Sequence, residues 1–437
     1  MKVCVFGLWH LGSVTVAALA SRGVAVVGLD PDPEVTAGLS QGRPPLYEPG
    51  LADLVQTGLG SGTLEFTTDR EAALKGAAVV WVAFDTPVDD NDVADTDYVM
   101  NQVVGLYPWL EDQTVVLVSS QMPVGSAAEL ARRFQAEAKG RTVHFAVSPE
   151  NLRLGKALDV FLNPDRIVVG IRDAAARDLL APMLAAVTDR VVWMGVESAE
   201  MTKHAINAFL ATSIVFANEI ASVCERVGAD ASEVAHGLKS EARIGPGAYV
   251  KPGGPFAGGT LARDVQFLTQ IGDRDGLDLP ALRSIRPSND SQKQWSRRAV
   301  ERLLPDLAGR AVAIIGLTYK AGTDTLRRSA AVELAESLAG EGVAVRAFDP
   351  AVKVLPESLS GIIDLKADPV EAASGSDAVI LSYDSAEFQA LDWNAIIGGL
   401  HTPVLIDAGG GMAKWAGAQD RISYACVGLT LEKDAMQ

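Results

Sequence analysis

Short apolar runs alternate with helical patterns through the first part of the chain, which predicts strands joined by helices. Lys2–Phe6 reads as a buried strand, followed by a glycine turn and a small-residue helix over 13–22. Residues 24–29 read as the next strand, ending at Asp30. Further apolar runs at 77–84, 114–119, 143–147 and 166–169 predict four more buried strands. Strands and helices in this order imply a parallel sheet with right-handed crossovers.

The middle of the chain has a different period. Residues 199–227 read as one long helix, with Ile206, Phe209, Leu210, Ile214, Phe216, Ile220 and Val223 at helical spacing. Its apolar share is too broad for a single solvent-washed face, so the helix is expected between domains or across a dimer. The glycine- and proline-rich residues 245–259 read as loop. The third segment then repeats the first in outline. Residues 311–315 form an apolar strand ending in Gly316-Leu317, as the first strand ends in Gly7-Leu8. Gly342-Val343-Ala344-Val345 leads to Asp349-Pro350, as Gly23-Val24-Ala25-Val26 leads to Asp30-Pro31. The predicted fold is α/β: two Rossmann-like, doubly wound parallel-sheet domains joined by a long central helix. The expected division is 1–195, 196–300 and 301–437.

Composition narrows the class without deciding the chemistry. The 437 residues are 48% hydrophobic and 21% charged, enough for two or three well-cored domains. A net charge of -17 argues against nucleic acid as a partner. An anionic substrate must therefore be met by local positive charge. Cys4, Cys224 and Cys426 lie far apart, share no metal-ligand spacing, and read as buried thiols in a reducing compartment. No metal site is expected. Nothing resembles a targeting segment, and no unbroken apolar run reaches the ~18 residues that span a bilayer. A cytoplasmic protein without membrane partners is the expectation.

Gly7-Leu8-Trp9-His10-Leu11-Gly12 follows a strand and opens a helix, as a dinucleotide fingerprint does. Asp30, at the end of the second strand, can accept from both ribose hydroxyls and favours NAD over NADP, whose 2′-phosphate it would repel. Trp9 stands where the pattern wants a second glycine, so its indole either turns from the phosphates or fills part of the groove. The alternative is that Gly7 and Gly12 only pack a helix on a strand. That alternative is the better reading after Gly316, where no such fingerprint follows.

From Leu46-Tyr47-Glu48-Pro49-Gly50-Leu51 onward the chain resembles the UDP-glucose/GDP-mannose dehydrogenase family. Thr86-Pro87 resembles its N-T-P turn, and residues 120–125 its S-T-V-P-V-G. Ser148-Pro149-Glu150-Asn151-Leu152-Arg153 resembles its N/S-P-E-F-L-R. Ala199-Glu200, Lys203, Asn207 and Phe209 match its A-E-x-x-K-x-x-x-N-x-F helix. Arg243-Ile244-Gly245, Gly316-Leu317 with Lys320, Asp324 with Arg327, and Leu391-Asp392-Trp393 follow in order.

The resemblance implies NAD in the N-terminal domain, a nucleotide sugar in the C-terminal domain, and a homodimer through the central helix. It also implies oxidation at C6 of the hexose, alcohol to aldehyde to acid, with a cysteine trapping the aldehyde. It places Gly7, Trp9, His10, Leu11, Gly12, Asp30, Thr86, Pro87, Ser120, Gln121 and Arg327 at the cofactor. It places Glu150, Leu152, Arg153, Lys203, Arg243, Gly258 and Lys320 at the substrate. Lys203 and Asn207, spaced i, i+4 on one helix, become the oxyanion and water contacts. Asp264 pairs with Lys203 or orients water, and Glu150 lies near the reacting carbon.

The chain departs from the pattern at the reacting group. Where the family reads G-F-G-G-S-C-F-P-K-D, this chain has Phe256-Ala257-Gly258-Gly259-Thr260-Leu261-Ala262-Arg263-Asp264. Thr260 takes the cysteine's place, and its hydroxyl is a poor substitute for a thiolate. Gln121, Leu154, Arg263, Val35 and Gly409 are further departures. The expected reaction is a two-electron oxidation whose product stays an aldehyde or ketone, with Lys203, Asn207, Asp264, Glu150 and Thr260 as the candidate catalytic residues. A four-electron oxidation through a hydrated aldehyde, a redox-neutral epimerisation on tightly held NAD, and sugar-nucleotide binding without catalysis stay open.

Overall fold

The computed structural model describes residues 1–437 apart from 88, 90–93, 151, 258, 420–421 and 430–437. It contains two compact units, Met1–Ile206 and Asn207–Gln437.

The first unit is built on an eight-stranded sheet: β1 (Lys2–Phe6), β2 (Ala25–Leu29), β3 (Leu64–Thr67), β4 (Ala77–Val82), β5 (Thr114–Val118), β6 (Val143–Val147), β7 (Ile167–Ile171) and β8 (Val191–Gly195). Their order is β3-β2-β1-β4-β5-β6-β7-β8. Along β1, Val3 and Val5 enter the core on one face while Cys4 and Phe6 enter it on the other. Burial on both faces is why such strands read as unbroken apolar runs.

The expected fold class is the observed one, with two differences in detail. The edge strands β3 and β8 add to the six expected. Within an otherwise parallel sheet, β7 runs antiparallel to β6, with Val147 opposite Gly170. Strand direction is set by the connection, here a loop and the short helix Ala157–Leu162, and hydrophobic periodicity carries no sign of it. The helix after β1 spans His10–Ser21 and so begins inside the glycine fingerprint rather than after it.

The second unit carries a wholly parallel sheet of six strands: β9 (Ala311–Ile315), β10 (Ala344–Phe348), β11 (Ile363–Leu365), β12 (Ala378–Leu381), β13 (Val404–Asp407) and β14 (Ser423–Cys426). Its order, β11-β10-β9-β12-β13-β14, repeats the first six places of the other sheet. The repetition reaches individual bonds. Gly7 N–H donates to Leu29 O at 2.9 Å and Gly316 N–H to Phe348 O at 2.9 Å. Both glycines have φ of 93°, a conformation that L side chains rarely adopt.

The long helix spans Val196–Val227, three residues longer at its start than expected. By length and composition it could cross a membrane, which corrects the expectation that no segment is long and apolar enough. An unbroken run is absent because Glu197, Glu200, Lys203, His204, Glu219, Glu225 and Arg226 punctuate it. A core helix meets the same criterion, and 44% of its most apolar window is buried within the protein.

Candidate active site

In both sheets, strand order reverses between the first strand and its neighbour, and ligands of such folds bind outside the carboxyl ends at that point. In the first unit, the residues after β1 sit there. Gly7 has no room for a side chain, since a Cβ would lie 2.8 Å from the Phe84 ring. Gly12 is equally constrained, because a Cβ there would lie 1.7 Å from Gly7 O. Both glycines thus bring helix and strand together, as the alternative reading required, yet they also shape the turn.

Asp30 is buried at the end of β2. Its Oδ2 accepts from Leu8 N–H at 2.6 Å and its Oδ1 from Asp32 N–H at 2.9 Å. Burial pushes its pKa above the ordinary value, against the pull of these two N–H groups. A carboxylate has about four acceptor positions, so capacity for a ribose diol remains. Trp9 caps the helix at φ -71°, outside the left-handed region, and its side chain is 48% exposed. Its φ does not itself demand glycine, but its side chain borders the turn where a phosphate would approach. His10 Nε2 lies 3.2 Å from Glu48 Oε2, and Leu11 N–H points to Asp85 Oδ2 at 3.4 Å.

At the carboxyl ends of β5 and β6 lies a small crevice, lined by Ser120, Gln121, Met122, Pro149, Glu150, Glu200, Lys203 and His204 among others. Thr86 Oγ1 donates to Gln121 O at 2.7 Å and fixes one wall, while the neighbouring Pro87 is exposed. Ser120 Oγ is buried with no hydrogen-bond partner. An orphaned hydroxyl here is what a cofactor-facing position leaves, and together with Asp30 and the glycine turn it fits NAD. Lys203 Nζ donates to Glu150 O at 2.6 Å, so its ammonium is held at the crevice. The Glu150 carboxylate accepts from Leu152 N–H; Leu152 is half-buried and Arg153 exposed.

Two carboxylates organise this unit and were not among the expected site residues. Glu48 accepts from Gly155 N–H at 2.9 Å and Ala157 N–H at 2.7 Å, tying the Tyr47 segment to the loop after β6. Glu200 accepts from Gly125 N–H at 2.7 Å and Ala127 N–H at 3.0 Å, capping the helix Ser126–Glu137 from the long helix. Both stand inside the family-like motifs, so the signal was present. What the string lacked was their partners.

In the second unit, Asn207 Nδ2 donates to Asp264 Oδ2, and Asp264 is wholly buried. The loop before Asp264 is held by amides that sequence reasoning missed. Asn218 Oδ1 accepts from Gly253 N–H at 2.9 Å, and Gln292 Nε2 donates to Gly253 O at 2.9 Å. Thr260 is exposed and begins the helix Thr260–Asp275 immediately after Gly259, whose φ is 93°. Gly258 lies outside the described residues.

Arg243 is exposed and paired with Glu241 at 2.9 Å. Lys320 and Arg327 are exposed after β9, with the Lys320 ammonium 5.4 Å from the Tyr319 ring centroid. Asp349, the counterpart of Asp30, is saturated. Its Oδ2 accepts from Leu317 N–H, Thr318 N–H and Thr318 Oγ1 at 2.8, 3.0 and 3.1 Å, and its Oδ1 from Ala351 N–H at 2.9 Å. Glycine at 409 has a local reason, since any Cβ there would lie 2.4 Å from Asp384 N. Among the described residues, no group of three or more His, Cys, Asp and Glu side chains could hold a metal ion.

A glycine turn, an acidic residue ending β2, and a helix amino end at the strand-order reversal define a dinucleotide-binding oxidoreductase fold with a second Rossmann unit. Residues 1–187 match the NAD-binding domain of the UDP-glucose/GDP-mannose dehydrogenase family, 197–291 its central domain, and 313–413 its UDP-binding domain. The chain belongs to that family and is an NAD-dependent nucleotide-sugar dehydrogenase. It is 35% identical over 422 residues to a UDP-glucose 6-dehydrogenase of Pseudomonas aeruginosa, covering 93% of each chain. A UDP-glucose 6-dehydrogenase of Rhizobium meliloti is 32% identical, with 98% and 99% covered. The structure of a UDP-glucose dehydrogenase from Pyrobaculum islandicum is similar with a TM-score of 0.86 at 30% identity, covering 98% of both chains.

Proposed function

We propose that this protein carries out a single two-electron oxidation of a CH–OH group, at C6 of the hexose of a nucleotide sugar, and releases an aldehyde. One C–H bond breaks as hydride and the hydroxyl loses its proton, so each sugar yields one NADH and one H⁺. Bound NAD supplies the hydride acceptor. In the first unit, the Lys203 ammonium stabilises the developing alkoxide and Glu150 lies near the reacting carbon. In the second, Asn207 and Asp264 orient water, while Arg243, Lys320 and the loop at Gly258 hold the nucleotide sugar. The working division is 1–195 for NAD, 196–300 for the central region and 301–437 for the nucleotide.

The observation that carries this reading is the residue at position 260. A thiol at the first position of a 16-residue helix would be eased toward thiolate by the helix dipole. Thr260 has no such accessible anion. The three cysteines are buried elsewhere, in β1, in the long helix and in β14. Burial pushes the thiols of Cys4 and Cys426 up to about 12, which keeps both protonated at neutral pH.

Incubation with a panel of nucleotide sugars, following absorbance at ~340 nm, tests the stoichiometry. One NADH per sugar with a trappable aldehyde is expected. Two NADH per sugar with a uronic acid overturns the proposal, as does epimerisation with no net NADH. A thermal shift with a nucleotide sugar but none with NAD identifies a binding protein instead.

We also propose a homodimer through the long helix, in a cytoplasmic protein with no nucleic-acid or membrane partner. Phe209, Phe216 and Val223 recur every seven residues on that helix and are 71%, 45% and 56% exposed, a stripe that a second copy would cover. Light scattering on the purified protein is expected to give twice the chain mass, and a monomer overturns this.

A further inference from the structure

The helix His10–Ser21 begins at the fingerprint, and its N-cap residue, Trp9, makes no side-chain capping bond. The first backbone N–H groups of a helix have no partner within it and favour an anion. In dinucleotide sites that anion is the pyrophosphate. Here a protein carboxylate is already aimed at the same groups. Asp85 Oδ2 lies 3.4 Å from Leu11 N.

Asp85 is delivered by a turn locked on both sides. The ring of Phe84 lies over Gly7, and Thr86 Oγ1 bonds to Gln121 O at 2.7 Å. The residue is nonetheless exposed, so solvent lies beside the carboxylate. Burial of its inner side pushes its pKa above the ordinary value, opposed by His10 and Leu11 N–H and reinforced by the nearby Glu150 carboxylate. The N–H groups that favour an anion at this place are thus already engaged by the Asp85 carboxylate, and a phosphate arriving there must contend with it for them.

We propose that Asp85 is an internal competitor for the pyrophosphate of NAD: its carboxylate and the cofactor's phosphates claim the same amino-terminal N–H groups, and Asp85 thereby sets cofactor affinity. Trp9 and Asp85 then act in one direction. The first removes the glycine that lets a phosphate approach closely, and the second places a like charge where it would arrive. Binding requires the Asp85 side chain to rotate out, at a cost that weakens NAD relative to a site without the carboxylate.

The inference rests on NAD binding by the first unit and not on how many hydrides are transferred. Calorimetric titration without sugar substrate therefore tests it separately from the proposed reaction. The protein, Asp85→Asn and Asp85→Gly are each titrated with NAD, ADP-ribose and adenosine at one ionic strength. Both substitutions are expected to tighten NAD and ADP-ribose about tenfold and to leave adenosine, which has no phosphate, unchanged. Unchanged or weaker NAD binding in both variants overturns the proposal. So does an equal gain for adenosine, which would mean a relaxed loop rather than a removed charge.

Discussion

The side-chain amide of Asn289 pairs in both directions with the backbone of Phe256. Its Oδ1 accepts from Phe256 N–H at 2.9 Å, and its Nδ2 donates to Phe256 O at 2.9 Å. One buried amide thus does for an irregular loop what a neighbouring strand does within a sheet. That loop ends at Thr260, so Asn289 helps set the position of the residue on which the proposed reaction turns.

Asn289→Ala leaves a backbone donor and acceptor unsatisfied in a buried place. Unfolding free energy of the second unit is expected to fall by about 2–3 kcal/mol, read by urea denaturation. A loss within the error of the measurement would remove the amide from this role.

Asp30→Asn keeps the shape and removes the charge. NAD is expected to bind roughly tenfold more weakly, because the ribose diol loses an anionic acceptor. Discrimination against NADP should fall at the same time, since the repulsion of a 2′-phosphate disappears. Titration with both cofactors checks the two effects separately.

Thr260→Cys places a thiol at the helix amino end. Its thiolate is expected to form at lower pH than an ordinary cysteine, seen as faster alkylation near neutrality than the buried native thiols allow. With a nucleotide sugar the variant should move from one NADH per sugar toward two. An accessible thiol with no change in stoichiometry would show that another residue limits the second oxidation.

Glu200 gives a pH-dependent prediction. Its carboxyl is raised above the ordinary glutamate value by burial, although Gly125 and Ala127 N–H and His204 pull it down and Glu197 pushes it further up. A raised acid binds its proton more tightly in the folded than in the unfolded state. Its contribution is therefore fully present below the unfolded value, near ~4.3, and is lost as pH rises through the folded value. Glu200→Gln does not titrate. The stability advantage of the native protein over this variant should thus be larger at pH ~4 than at pH ~7, by denaturation at both. An advantage that grows toward neutrality contradicts the sign.

Local pattern carried much of this protein. Continuous apolar runs marked β1, β2, β4, β5, β6 and β7 to within a few residues, because strands buried on both faces leave no polar alternation. The glycine turn and Asp30 were readable because positive φ and close helix–strand approach restrict residue type, and the absence of a thiol at position 260 was readable outright. Glu48, Glu200 and Asn289 were not readable as organisers. A buried carboxylate or amide is justified by backbone groups that lie far away along the chain.

The sequence by itself determined the two Rossmann-like halves, the family and the cofactor, since each is encoded in residue type at short range. The tertiary structure decided what short range cannot hold. It reversed β7, saturated Asp349 with the Thr318 hydroxyl and three backbone N–H groups while leaving acceptor capacity on Asp30, and aimed Asp85 at the fingerprint helix. Each of these depends on direction and distance between segments tens of residues apart, and only the folded chain sets those.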